Sequence, residues 1–167
     1  MTLQIKRRGR PSKASIAERD KLVPKVKRAD TEVLADLRDR FEMLGKLTQG
    51  TMKANIRSMV VTGAPGVGKT YTVTNILENT LNAKYETVAG ALSAVELYKL
   101  GYRNRKAGSV IVLDDADSIF TDEDALNILK ALCDSSPVRR VSWLKDSATL
   151  RQDDTPQSYE FHGSFIF

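Results

Sequence analysis

The sequence holds a single cysteine, Cys133, so no disulfide can form within the chain. No apolar run approaches the roughly 20 residues of a membrane span. The N-terminus is basic but has no apolar core of the kind a secretory signal carries. Without an export signal, a reducing cytoplasmic setting is the expectation. Internal repeats are absent too. With 167 residues and 41% hydrophobic content, the chain is long enough for one domain with a sizeable core.

Charge is unevenly spread. Residues 1–30 contain ten Lys or Arg against three acids. That is a surplus of seven positive charges in a chain whose net charge is +5, so the remainder carries a net −2. The pattern is a slightly acidic domain behind a basic arm; such arms often meet nucleic acid, and a solvated tail that keeps the protein soluble fits the same composition. Residues 1–29 have few aliphatics and no steady period, which predicts a disordered arm ahead of a folded core over 30–167.

Within the core, Leu34, Leu37, Phe41 and Leu44 recur at helical spacing. They predict a helix over about 32–44, capped by Thr31 and ending near Gly45. "TQGTMKAN" reads as a loop. "IRSMVVTG" then reads as a buried strand, and "KTYTVTNILENTL" as a helix with Val73, Ile76, Leu77 and Leu81 on its inner face. "KYETVAG" follows as a strand. "SAVELYKLG" reads as a helix with a Ser93/Glu96 capping box, closing at Gly101. "SVIVLDDAD" is a strand, and "DEDALNILKALCDSS" a helix whose inner face is Leu126, Leu129, Leu132 and Cys133. "VRRVSW" alternates as a half-exposed strand, "KDSATLRQDDTPQ" reads as a polar loop, and "YEFHGSFIF" as one last strand. Strands alternating with helices predict an α/β fold: a mostly parallel sheet covered on both faces.

"GAPGVGKT", running Gly63, Ala64, Pro65, Gly66, Val67, Gly68, Lys69, Thr70, fits the phosphate-loop pattern G-x-x-x-x-G-K-[ST]. Its backbone N–H groups must wrap a polyphosphate closely, and the glycines allow that approach. Lys69 reaches the β- and γ-phosphates, Thr70 offers its hydroxyl to Mg²⁺, and Tyr71 follows in the helix whose N-terminus faces the phosphates. A second, acidic site belongs at the end of a neighbouring apolar strand. "VIVLDDAD" supplies it: Asp114 for Mg²⁺, Asp115 to polarise the attacking water, with Asp117 a weaker candidate.

The phosphate loop together with "VIVLDDADSIF" resembles AAA+ ATPases, a three-layer αβα P-loop fold, with the second stretch similar to their Walker B strand. The likeness covers residues 30–167 and extends in particular to phage-encoded AAA+ proteins, through "ALNILKALCDSS", "VRRVSW" and "FHGSFIF". It implies ATP and Mg²⁺ as cofactors, ATP hydrolysis, ring or partial-ring assembly and mechanical work on a polymer or partner. Asp115 stands where the family usually has Glu, which implies slow hydrolysis. "TVAGALSA" lacks the aromatic of protein-unfolding members. "GSFIF" is similar to the sensor strand but stops before its polar residue, so an incomplete C-terminus, without sensor 1, fifth strand and lid, is the expectation. Arg139 and Arg140 are expected on a solvated hairpin rather than as finger substitutes, His162 and Trp143 as packing or hairpin residues, Cys133 as core.

In the arm, Arg8-Gly9-Arg10-Pro11 resembles the AT-hook core. Gly9 keeps the backbone slim, Arg8 and Arg10 suit the narrow, electronegative minor groove of A·T-rich DNA, and Pro11 stiffens the exit. Lys6, Arg7 and Lys13 suit phosphates. Four functions stay open: a DNA-associated AAA+ ATPase such as a phage replication loader or remodeller, a DNA-independent chaperone-like ATPase, a nucleotide-gated binding module with little turnover, and a small-molecule kinase. The kinase requires acceptor-binding arginines, for which only Arg103 and Arg105 offer themselves, in an expected loop.

Overall fold

A computed structural model describes residues 29–167. The arm expected over 1–29, including Arg8, Gly9, Arg10 and Pro11, lies outside the described residues except for Ala29. The chain divides into two compact units, Met1–Leu37 and Arg38–Phe167. The described part of the first is the opening of helix α1 (Asp30–Met52), with Asp30 and Glu32 in the first turn, where carboxylates offset the helix dipole. In the second unit α1 leads to β1 (Ser58–Met59), α2 (Lys69–Glu78), β2 (Lys84–Ala89), α3 (Ala94–Arg103) and β3 (Ser109–Asp114). A 3₁₀ turn (Asp117–Phe120), α4 (Glu123–Leu132), β4 (Arg140–Ser142), α5 (Ala148–Gln152), β5 (Ser158–Glu160) and β6 (Ser164–Ile166) complete it.

Strands β1, β6, β3 and β2 lie side by side in that order, all parallel. β3 sits inside the sheet and is buried over Ser109–Leu113, which explains its unbroken apolar run. Its side chains alternate between two cores. Val110 and Val112 pack with Val73 and Leu77 of α2 on one face. Ile111 and Leu113 pack with Leu97 and Leu100 of α3 and Leu129 and Leu132 of α4 on the other. The result is a three-layer α/β arrangement. Because all four strands run the same way, their C-terminal ends share one pole, and the Gly63–Thr70 loop follows β1 there.

Several elements differ from the sequence reading, each for a local reason. Helix α1 does not stop at Leu44 but runs to Met52. Its polar tail stays helical because Thr48 and Thr51 are buried and donate their hydroxyls back to the carbonyls of Leu44 and Thr48, at 2.9 and 2.7 Å. Gly45 is therefore mid-helix, where a Cβ would lie 3.3 Å from Ile76 Cδ1 of α2. Helix α2 ends at Glu78, which leaves Leu81 exposed rather than on the inner face. In α3 the Ser93 hydroxyl accepts the Glu96 N–H, but the Glu96 carboxylate turns to Lys99, so the box is half formed. The helix also passes Gly101 and ends at Arg103. Ala125 and Ile128 join Leu129 and Leu132 on the inner face of α4, while Leu126 and Cys133 are half-buried.

The expected polar loop after Trp143 contains α5, capped by the Ser147 hydroxyl and anchored by buried Leu150. The last stretch is two strands, not one. β5 pairs antiparallel with β4 in a separate ribbon, with Val141 opposite Tyr159, and β6 enters the main sheet. Gly163 makes that switch possible, because a Cβ there would lie 2.5 Å from the Asn104 carbonyl oxygen. The strand expected over Ile56–Gly63 reduces to a two-residue β1. Its pairing with β6 extends past both ends, where the Phe165 N–H donates to the Arg57 carbonyl at 2.9 Å and the Val61 N–H to the Phe167 carbonyl at 2.7 Å.

Candidate active site

The Gly63–Thr70 loop joins β1 to α2 and is exposed over Gly63–Val67. Gly66 and Gly68 adopt φ of +75° and +94°, and a Cβ at either would project into open space with no atom within 4 Å. Gly68 also caps α2, so the first N–H groups of that helix face the loop without intrahelical partners. This is the geometry of an anion cradle: left-handed glycines, free N–H groups and the positive end of a ten-residue helix converge. Lys69 folds across the loop and donates to the carbonyls of Gly63 and Ala64, at 3.0 and 2.9 Å. Pro65 and Val67 are exposed at the loop's crest, and Tyr71 is exposed on α2.

Asp114 is the last residue of β3. Its Oδ1 lies 3.4 Å from the Thr70 hydroxyl, so residues 44 apart in sequence meet at one point. Asp115 follows, exposed, with φ of +53°. Aspartate tolerates this left-handed conformation better than most side chains. Asp117 opens the 3₁₀ turn. Lys69, Asp114 and Asp115 together line a cleft of about 620 Å³ whose other walls are mainly apolar, among them Val60, Ile119, Phe120 and Phe167. Thr70 and Asp114 present hard oxygen donors, the kind Mg²⁺ takes together with water and phosphate oxygens. The residues present thus fit a polyphosphate and its magnesium ion.

Residues 59–143 match the AAA family, the ATPase family associated with various cellular activities. The chain belongs to the AAA family of ATPases. An uncharacterized 36.7 kDa protein from the nrdC-mobD intergenic region of Enterobacteria phage T4 is 34% identical over 148 residues. That alignment takes in 87% of this chain and 45% of the T4 protein, so the AAA chain spans under half the length of that relative. No solved structure matches it. Among its described residues, no helix is long and apolar enough to cross a membrane.

Several residues are placed away from this AAA site. Arg139 is buried, not solvated: it donates to the carbonyls of Leu132 (2.9 Å) and Gly163 (2.8 Å) and lies over the Phe161 ring. Burial and the nearby Arg57 hold its pKa below the usual guanidinium range. Arg140 is exposed and pairs with Glu160. Arg103 ends α3 and pairs with Glu86, while Arg105 covers the Tyr102 ring, near where β3 begins and away from the loop. Trp143 is buried with its indole N–H unpaired, and His162 lies exposed between β5 and β6. Sequence reasoning missed Ser118, whose hydroxyl accepts the Leu92 N–H at 3.3 Å and ties the loop after β2 to the turn after Asp115. It also missed Lys130 and Phe120, which line the cleft. Neither role has a local signal, since both arise from packing between elements distant in sequence.

Proposed function

We propose that the chain is a magnesium-dependent ATPase that acts on, or is tethered to, DNA, as a phage replication loader or remodeller would. The observation that carries the nucleotide half is the meeting of the Thr70 hydroxyl with Asp114, 3.4 Å apart, beside the open glycine loop. The backbone of Gly63–Thr70 and the N-terminus of α2 hold the phosphates. Lys69 leaves the Gly63 and Ala64 carbonyls to meet the β- and γ-phosphates. Thr70 and Asp114, a Walker B aspartate, would hold magnesium, which would supply positive charge to neutralise the phosphates. Asp115 orients and deprotonates the attacking water, and Tyr71 flanks the site.

The DNA half rests on the arm, with Arg8, Gly9, Arg10 and Pro11 in an A·T-rich minor groove. A homo-oligomeric ring and work in the host cytoplasm belong to the same reading. One ATPase assay with and without duplex DNA, on wild type and Lys69→Ala, tests it. Turnover stimulated by DNA and lost in Lys69→Ala is the expected result. Turnover indifferent to DNA removes the DNA half, and turnover that survives Lys69→Ala removes the site.

A further inference from the structure

The pole opposite the phosphate loop, where β2 and β3 begin, carries a groove of about 560 Å³. Lys53, Lys84, Gln49, Thr80, Asn82 and Leu81 line it, and no Asp or Glu does. Lys106 is next to the lining residue Ala107. None of these three lysines makes an ion pair with a described residue. Elsewhere on this unit Lys46, Lys99, Arg103, Arg140, Lys145 and Arg151 all do. The sequence beyond residue 30 carries a net negative charge, so an acid-free basic groove does not follow from a general excess of cations.

The groove's walls are built from fixed turns rather than loose chain. Asn82 holds φ of +61° and Gly108 φ of +81°, and a Cβ at Gly108 would press to 3.2 Å on the Met52 carbonyl oxygen. Lysines on flexible stems act as point charges for phosphates, and neutral amide and hydroxyl groups satisfy phosphate and sugar oxygens without reading sequence. Leu81, 89% exposed, gives a sugar an apolar surface. We propose that this groove is a second nucleic-acid contact, a cradle for a phosphodiester backbone on the folded unit, distinct from the arm. It rests on the nucleic-acid half of the reading above and on none of the ATP chemistry.

The test is binding of the whole chain to a fluorescent duplex over a range of salt, by anisotropy. Four proteins are compared with wild type: the groove triple Lys53→Ala/Lys84→Ala/Lys106→Ala, the arm double Arg8→Ala/Arg10→Ala, their combination, and a control triple Lys46→Ala/Lys145→Ala/Arg151→Ala. Each lost phosphate contact lowers the slope of log affinity against log salt by about 0.9. The groove triple is expected to lower that slope by about 2–3 and to weaken low-salt binding about tenfold or more. The control triple is expected to change neither, and the arm double to retain the groove-dependent slope. The side chains removed by the groove and control triples are exposed, so thermal melts of those two variants should coincide with wild type. If the groove triple matches the control, or the arm double abolishes binding alone, the groove is not a contact, although the arm reading survives. If the groove triple instead loses binding to phosphatidylserine vesicles while binding DNA as wild type does, a membrane surface replaces nucleic acid and the proposal is overturned.

Discussion

Asp115 shows how one residue ties backbone to chemistry. Its φ of +53° belongs to a region that aspartate enters by virtue of its short, locally bonding side chain, and that glutamate enters at greater cost. An aspartate at this position therefore matches the turn it makes. Asp115→Glu is expected to lower stability by roughly 1 kcal/mol, read by thermal melting. Asp115→Asn should keep the turn and the ATP affinity but slow hydrolysis by about 100-fold or more. Equal turnover in Asp115→Asn and wild type would take the base role from this residue. At Cys133 burial dominates, with Ser58 and Arg139 opposing it, and pushes the thiol pKa from 9.0 up to about 11. The neutral thiol is thereby favoured, and at pH 8 the folded chain holds about 100-fold less thiolate than an unshifted cysteine. Alkylation by iodoacetamide should be correspondingly slow, should keep rising until pH passes about 11, and should become fast on unfolding. Fast alkylation of the folded chain at pH 8 would contradict that burial.

At the scale of elements, the sequence speaks clearly where a pattern is local and falls silent where packing decides. The glycine-rich turn of Gly63–Thr70, the apolar β3 run ending at Asp114 and the Ser93 cap were all legible, because glycine spacing, unbroken burial and a capping hydroxyl leave direct marks. The extension of α1 was not, since "TQGTM" looks polar until Thr48 and Thr51 are seen buried with their hydroxyls turned onto the helix. Gly101 misled in the opposite sense. It reads as the helix stop, yet it is a contact point inside the last turn, where a Cβ would collide with the Tyr159 hydroxyl and come within 2.8 Å of Leu132 Cδ2. That hydroxyl is itself held by the Tyr98 carbonyl at 2.8 Å, so it has little room to give. Gly101→Ala should cost about 1–3 kcal/mol in chemical denaturation. Tyr159→Phe in the same chain should restore part of the loss, since it removes the atom in collision. No loss in Gly101→Ala would mean that α3 and β5 pack less closely than described. Likewise, the division of the last stretch into β5 and β6 depends on Gly163 passing beneath Asn104, a contact across 59 positions that no local pattern announces.

At the scale of the whole molecule, a parallel sheet gives the chain two unlike poles. At one, strand ends deliver Asp114 and the Gly63–Thr70 loop to the same cleft. At the other, strand starts gather lysines that form no ion pair with a described residue around a groove. Nucleotide chemistry and a backbone-binding surface would thus sit on opposite ends of one rigid sheet. The sharpest test of the nucleotide pole is calorimetric titration of ATP into wild type, Lys69→Ala and Asp114→Asn, each with and without magnesium. Wild type should bind more tightly with magnesium. Lys69→Ala should bind weakly under both conditions, and Asp114→Asn should bind ATP alone as wild type does but lose the gain from magnesium. Identical affinities in all three proteins, with magnesium making no difference to any of them, would contradict the site built from Lys69, Thr70 and Asp114.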